Sequence, residues 1–258
     1  GIATVVSQYI SAGLVLWCML KTDGCYHIIP RQLRLHRDKF IRILKIGVPA
    51  GLQGAIFSIS NVLIQSSINS FGSNVMAGNA AAVNIEGFVF TSCNSVAQAS
   101  LTFTSQNLGA GLYKRLRGIT IWCLVLGVLL AEITGFIAYG FGTPLLSFYN
   151  KDAEVISMGL IRLMLVGTTY GLDAIMDVLA DIIRGMGSSV LPMIVTLIGA
   201  CGFRIVWIYT VFAAHHDLRV LYISYPISWI LTSLTHLVCY FIVKRRRLRG
   251  VTEGVPSV

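Results

Sequence analysis

Three aspartates, Asp173, Asp177 and Asp181, stand at i, i+4 and i+8 in the stretch YGLDAIMDVLADIIRGMG, residues 170–187, which otherwise has the apolar make-up of a membrane-spanning helix. At 100° per residue the three drift by only about 80°, so they share one stripe of that helix. A carboxylate near the bilayer centre costs several kcal/mol unless it is protonated, paired or facing water, and its default role is ion, proton or substrate handling. Arg184 marks the cytoplasmic end of the helix. Counting back at 1.5 Å per residue puts Asp173 about 16 Å deep, Asp177 about 10 Å and Asp181 about 4 Å. A hydrocarbon core is about 30 Å thick, so Asp173 sits near its middle. Asp181 is close enough to Arg184, at i+3, to be its ion-pair partner.

The elements that must position this stripe are helices in a membrane. The chain has 258 residues, 55% hydrophobic and only 12% charged, with a mean hydropathy of +0.75. A soluble domain carries about twice that charged fraction. The apolar runs recur along the whole chain and predict an all-α, polytopic membrane protein. The expected organisation is an apolar helix at 1–20, a basic cytoplasmic linker at 21–45, six membrane helices within 46–243 and a basic cytoplasmic tail at 244–258. The chain begins inside an apolar helix, without Met or a charged leader, so it is expected to be a piece of a longer protein.

A net charge of +9 points to nucleic acid in a soluble protein, but here it follows from loop bias. Alternate loops, taken as cytoplasmic, collect sixteen of the twenty basic residues, whereas the outer loops hold only Lys151 and Arg219. This satisfies the positive-inside rule and puts the C-terminus in the cytoplasm of a multi-pass cell-membrane protein. The six cysteines form no C-x-x-C pair and the five histidines no zinc spacing, so no metal site and no disulfide framework is expected.

The spans differ in polarity. The second, about 46–71, has Pro49 in its first turn and carries Gln53, Ser58, Asn61, Gln65 and Asn69 within an arc of about 160°. The third, about 77–106, holds Asn79, Asn84, Glu86, Asn94, Gln98 and many hydroxyls. Such helices line an aqueous cavity or pack tightly on neighbours. Gln53, Asn61, Gln65, Glu86, Asn94 and Gln98 are therefore the expected cavity residues. Glu86 lies about 31 Å from Asn107, at the outer end, and reads as an entrance or exit residue or a solvated helix end. The fourth span is 118–141 with an outer loop over 144–153, the fifth 154–184, the sixth from Pro192 to 214, and the last 221–243, interrupted early by Pro226. Asp173 lies fifteen residues before Ser188 and Arg204 sixteen after it. An antiparallel hairpin then sets both about 22–24 Å from the turn. Either they pair, leaving Asp177 as the ion ligand, or they do not, leaving Asp173 in that role.

Four segments, LKIGVPAGLQGAIF at 44–57, SQNLGAGLYKR at 105–115, IIRGMGSSVLPM at 182–193 and CGFRIVWIYTVF at 201–212, resemble in order and separation the second lobe of the multidrug and toxic compound extrusion (MATE) family. The resemblance implies a six-helix transporter lobe preceded by the last helix of a first lobe. It also implies efflux of small cationic or amphipathic substrates in exchange for sodium ions or protons, with no other cofactor. Asp173 falls on the family's acidic position, while the second span carries no acid. A lipid-linked oligosaccharide flippase of the same superfamily ranks second, because only Arg204 offers a cation at depth for a diphosphate. A membrane-embedded enzyme ranks last, since no Ser/His pair, paired catalytic Asp motif or H-E-x-x-H is present. A purely structural subunit leaves the deep polar groups unexplained. The implied partners are membrane lipid, substrate and a first lobe, and nucleic acid is not among them.

Overall fold

The computed structural model describes residues 2–22, 27–30 and 34–252, apart from the side chains of residues 42, 46 and 248–252. Among these residues the chain is helical throughout, with elements α1 (Ile2–Lys21), α2 (Arg37–Asn69), α3 (Ser73–Gly109), α4 (Arg115–Gly140), α5 (Gly142–Ser147), α6 (Ala153–Leu165), α7 (Tyr170–Gly185), α8 (Val190–Thr196), α9 (Phe203–Trp207) and α10 (Leu218–Thr252). α8 and α9 are joined and extended by two π-helical stretches, Leu197–Gly202 and Ile208–Phe212, into a single rod over Val190–Phe212. The chain divides into two compact units, Gly1–Lys45 and Ile46–Val258. In the first, α1 is apolar along its length and has no buried residue. The second holds the core and every candidate site residue.

Six stretches among the described residues are long and apolar enough to cross a membrane: Ile2–Lys21, Arg37–Asn69, Arg115–Gly140, Ala153–Gly185, Val190–Phe212 and Leu218–Arg247. α3, with 37 residues, has the length but is too polar to be counted with them. It is sheltered instead by packing on α4, α6 and α7. Many of its hydroxyls never reach the interior. Those of Thr91, Ser92, Ser95 and Thr102 bond back to carbonyls four residues earlier, which lowers their cost on an outer face. Part of the polarity of this helix is thus satisfied within the helix itself.

Several boundaries differ from expectation. α2 starts at Arg37, so Pro49 lies inside the helix and not in its first turn. The basic residues 37–45 continue the helix because they are good helix formers. α10 likewise runs through Pro226 and nine residues past 243, into the segment expected to be a tail. Residues 253–258, together with 23–26 and 31–33 of the linker, lie outside the described residues. Part of the expected outer loop at 144–153 is helical in α5, where Leu146 is buried.

The fifth span is not one helix. Between α6 and α7 a 3-10 turn, Gly167–Thr169, breaks it. The break follows from the local sequence GTT: a glycine weakens the helix, and the threonine hydroxyls compete for its carbonyls. Thr169 Oγ1 donates to the Leu165 carbonyl at 2.9 Å, and Thr168 donates to that of Met164. α7 itself is buried on most sides, packed against α3, α4 and α10. It can approach closely because α4 offers small buried residues, Gly127, Ala131 and Gly135, at four-residue spacing. Beyond α7 the chain turns at Gly187, whose φ of 85° suits glycine and few other residues.

α3 and α6 touch through glycine. A Cβ on Gly78 would lie 2.5 Å from the Val155 carbonyl oxygen and 2.9 Å from the Gly159 nitrogen, whereas one on Gly118 meets nothing within 4 Å. Gly78→Ala is therefore expected to destabilise the lobe by about 1–3 kcal/mol through overpacking. Gly118→Ala should leave it unchanged or slightly more stable. Thermal unfolding of both variants in detergent checks this, and equal midpoints would contradict the close contact.

Candidate functional site

One long cavity, of about 680 Å³, runs between α2 and the face made by α3, α6, α7, α9 and α10. α2 lines it with residues at helical spacing, among them Gln53, Phe57, Asn61, Ile64, Gln65 and Ile68. α3 faces them with Asn79, Val83, Glu86, Phe90, Asn94 and Gln98. α7 contributes Tyr170, Asp173, Asp177, Asp181 and Arg184, and the remaining wall includes Arg162, Arg204 and Tyr225. All the residues expected at a cavity or ion site, Gln53, Asn61, Gln65, Glu86, Asn94, Gln98, Asp173, Asp177 and Arg204, are thus brought to one surface.

Their surroundings differ. Glu86 is neither an exposed entrance residue nor a solvated helix end. It is 2% exposed and is held by Arg162, whose Nε and Nη2 donate to the two carboxylate oxygens at 2.9 and 2.8 Å. This two-pronged geometry is the strongest that a guanidinium and a carboxylate can form. Arg162 Nη1 donates to Asn79 Oδ1 at 2.9 Å, and the Tyr222 hydroxyl donates to the same oxygen at 3.0 Å. Asn79 Nδ2 passes the network on to Gln65 Oε1 at 3.1 Å. Helices α2, α3, α6 and α10 are therefore tied together at this end of the cavity.

The other end is closed in a similar way. Arg184 Nη1 donates to Asp181 Oδ1 at 2.5 Å, the expected i, i+3 pair, and Nη2 donates to Gln53 Oε1 on α2. Glu132, also inside a span, accepts the backbone N–H of Gly171 at 3.1 Å. It fastens α4 to the start of α7.

Between the two arginine clamps lie Asp173 and Asp177. Neither has a hydrogen-bond or ion-pair partner among the described residues. Asp173 is 6% exposed and therefore sits deep in the protein. Arg204 is at the same level in the fold but does not pair with it. Its Nε donates to Ser228 Oγ at 2.9 Å, and its guanidinium lies 4.2 Å from the Tyr225 ring centroid and 5.7 Å from that of Trp229. Equal depth on a hairpin brings two residues level without making an ion pair, and Tyr225 and Ser228 of α10 hold the Arg204 guanidinium.

Arg162, Asn79 and Tyr222 were not among the expected site residues. A signal for Arg162 existed: it stands twenty-two residues before Arg184, which puts it about 33 Å up the span, level with Glu86. His216, in the segment HHD, stacks on Phe71 with ring centroids 4.5 Å apart and meets the Ser70 hydroxyl at 3.0 Å. Asp217 accepts the backbone N–H of Arg219. Both are occupied structurally.

The family model for MatE matches residues 49–210, most of the cavity-forming unit. The chain belongs to the MatE family. It is 22% identical over 200 residues to the probable multidrug resistance protein NorM of Thermotoga maritima, covering 76% of this chain and 42% of that protein. It is 27% identical over 198 residues to the protein of the same name from Neisseria meningitidis serogroup B, covering 76% and 43%. This MatE chain spans about half the length of the curated relatives it matches. Among solved structures it resembles a MATE crystal structure in complex with MaL6 (TM-score 0.86, 15% identity, 96% of this chain and 56% of that one). It also resembles the Vibrio cholerae MATE transporter VcmN in its bent form (TM-score 0.76, 17% identity, 86% and 50%). The fold is thus that of a MATE transporter lobe, and the MatE chain is a multi-pass membrane protein.

Removing one member of a buried ion pair strands the other. Glu86→Gln is expected to cost about 3–5 kcal/mol of stability, and the apolar double variant Glu86→Met/Arg162→Met to recover much of it. Thermal unfolding of the two in detergent is the check. A Glu86→Gln protein as stable as the unmodified one would show that the pair does not hold α3 to α6.

Proposed function

We propose that this chain is one lobe of an ion-coupled efflux transporter, which works with a second lobe to expel small amphipathic cations in exchange for sodium ions or protons. The observation that carries the reading is the pair Asp173 and Asp177. They are two carboxylates one helical turn apart on a membrane-spanning helix, lining a cavity and left without a protein partner. Uncompensated acids at that depth are expensive, and a cation or proton from outside the protein removes the cost. The broken span α6–α7 beside them fits the transporter pattern of discontinuous helices around a binding site. The NorM relatives are described as probable multidrug resistance proteins, which supports efflux as the direction.

In this reading Asp173 is the principal coupling residue and Asp177 its neighbour on the same path. The cavity residues Gln53, Asn61, Gln65, Asn94 and Gln98 offer neutral hydrogen bonds that tolerate varied substrates. Glu86 acts on the architecture through Arg162. Residues 1–20 are the last helix of the other lobe, 21–45 its cytoplasmic linker, and the basic run from Lys244 lies in the cytoplasm, consistent with the positive-inside bias. Protonation or sodium binding changes the charge on α7 and shifts the lobe between two packings, to the extent that the ion binds one of them better. The work is transport, with no covalent step. A diphosphate-bearing lipid fits poorly, since it would face two unpaired carboxylates.

The test uses the complete transporter, this chain with its second lobe, in proteoliposomes under an imposed sodium or pH gradient. Asp173→Asn is expected to lower gradient-driven ethidium efflux by at least about tenfold while ethidium still binds, and Asp177→Asn to lower it less. An Asp173→Asn transporter that still pumps down either gradient at the unmodified rate would remove Asp173 from the coupling site.

A further inference from the structure

A second cavity, of about 600 Å³, is a trough between α4 and α10 with α7 as its floor. Both flanking helices pack on α7. The α7 residues that line it are Leu172, Ile175 and Leu179. At 100° per residue they fall roughly opposite Asp173, Asp177 and Asp181. One helix therefore separates the two cavities, with its acids on one side and this trough on the other.

The trough is apolar. Leu129 of α4 and Ile230 and Leu234 of α10 are exposed along its walls. Ser233, the polar side chain among its lining residues, donates to the Leu172 carbonyl at 3.3 Å and is thereby occupied. An occupant finds no hydrogen bond here and has to be hydrocarbon.

The mouth of the trough has the opposite character. Arg117 stands seven residues before Leu124 on α4, and Lys244 seven after Leu237 on α10. Seven residues are close to two turns, so each cation continues the stripe of its helix that lines the trough. At 1.5 Å per residue the trough extends from about 10 to about 20 Å away from both cations. Half of a hydrocarbon core is about 15 Å, so this is acyl-chain depth in the leaflet at the basic end. Tyr240 joins the two helices there: its hydroxyl lies 3.1 Å from Thr120 Oγ1 and accepts from Lys244 Nζ at 3.1 Å. That contact uses one of the three ammonium donors. Arg117 is exposed, Lys244 is half-buried, and neither has a carboxylate partner among the described residues.

We propose that the trough and its mouth form a binding site for an anionic phospholipid of the leaflet at the basic end. One acyl chain lies in the trough against the back of α7, and the headgroup phosphate rests on Arg117 and Lys244. Basic pockets between membrane helices hold such headgroups by charge. A zwitterionic lipid brings its own cation to the mouth and loses most of that attraction. The site goes beyond the efflux reading and does not depend on it.

The test titrates the complete transporter in detergent with dioleoylphosphatidylglycerol or dioleoylphosphatidylcholine and counts retained lipid by native mass spectrometry. The unmodified protein is expected to hold a phosphatidylglycerol at least about tenfold more tightly than a phosphatidylcholine, the scale of two basic contacts. Arg117→Gln/Lys244→Gln should bring the two affinities close together. The charge-matched Arg115→Gln/Arg246→Gln, on other faces of the same helices, should keep them apart. Leu234→Trp, which fills the trough, should weaken phosphatidylglycerol about tenfold. Equal affinities in the unmodified protein would overturn the site, and that comparison needs no variant. Equal losses in the two charge variants would replace it with a diffuse basic surface. Undiminished binding in Leu234→Trp would remove the acyl chain from the trough, and a second copy of the chain that displaces the lipid would make the trough a protein interface.

Discussion

An ionised side chain inside a hydrocarbon layer has to be neutralised by something, and the helices around the cavity are arranged by that requirement. Arg162 meets Glu86 with two hydrogen bonds, from Nε and Nη2, and donates from its third nitrogen, Nη1, to Asn79. Arg184 meets Asp181 and reaches Gln53. Each arginine thereby joins elements far apart in the chain, α6 to α3 in one case and α7 to α2 in the other. Charge satisfaction and helix placement are one and the same problem here, since loss of either partner strands a buried charge. The groups that escape this rule, Asp173, Asp177 and Arg204, all belong to the lining of the cavity between the clamps.

The membrane spans were largely legible in the sequence because each carries a long apolar run, and the walls of the cavity because Gln53, Asn61 and Gln65 fall on one arc of α2. The depth of Asp173 was legible from residue counting, and its place on the cavity wall comes from the packing of α7. Other features were not. Nothing in hydropathy distinguishes the continuous helix first assumed over 154–184 from the broken α6–α7, because the break depends on how threonine hydroxyls at 168 and 169 compete for carbonyls. The helix ends were misjudged at Arg37 and beyond Val243 because polarity, which stops a membrane run, does not stop a helix. The Glu86–Arg162 pair was missed although depth counting brings the two level. The same counting brought Asp173 level with Arg204, and these do not pair. Depth is a one-dimensional coordinate, whereas pairing needs the azimuth of each helix, which only the packing of α3, α6, α9 and α10 decides.

α7 shows how one sequence stripe acquires three environments. Asp181, near the helix end, has an arginine one turn away and is structurally occupied. Asp177, one turn up, and Asp173, two turns up, face the cavity without an arginine hydrogen-bonded to them among the described residues. The opposite side of the helix is closed by small residues of α4 and by buried Val178, Leu179, Ile182 and Ile183. The carboxylates thus stand at the cavity with an apolar back behind them.

The bonds on the two sides of the cavity are unequal. Among the described residues, the side chains that tie α2 to the facing helices are Gln53, through Arg184, and Gln65, through Asn79. They are twelve residues apart, about 18 Å along the helix, and the cavity lies between them. A hydrogen bond to a neutral amide contributes a net of about 0.5–1.5 kcal/mol, and one to a charged group about 1.5–3. On the other side, α3 and α6 are joined by a buried ion pair whose disruption costs about 3–5 kcal/mol and by backbone contact at Gly78. Separating α2 from the wall breaks two amide hydrogen bonds and uncovers Ile64 and Ile68, both buried in the core, but leaves both arginine–carboxylate pairs intact. Separating α3 from α6 strands a charge. The wall that carries the unpaired carboxylates is therefore held by ion pairs and backbone contact, whereas α2 is held by two amide hydrogen bonds and by the burial of Ile64 and Ile68.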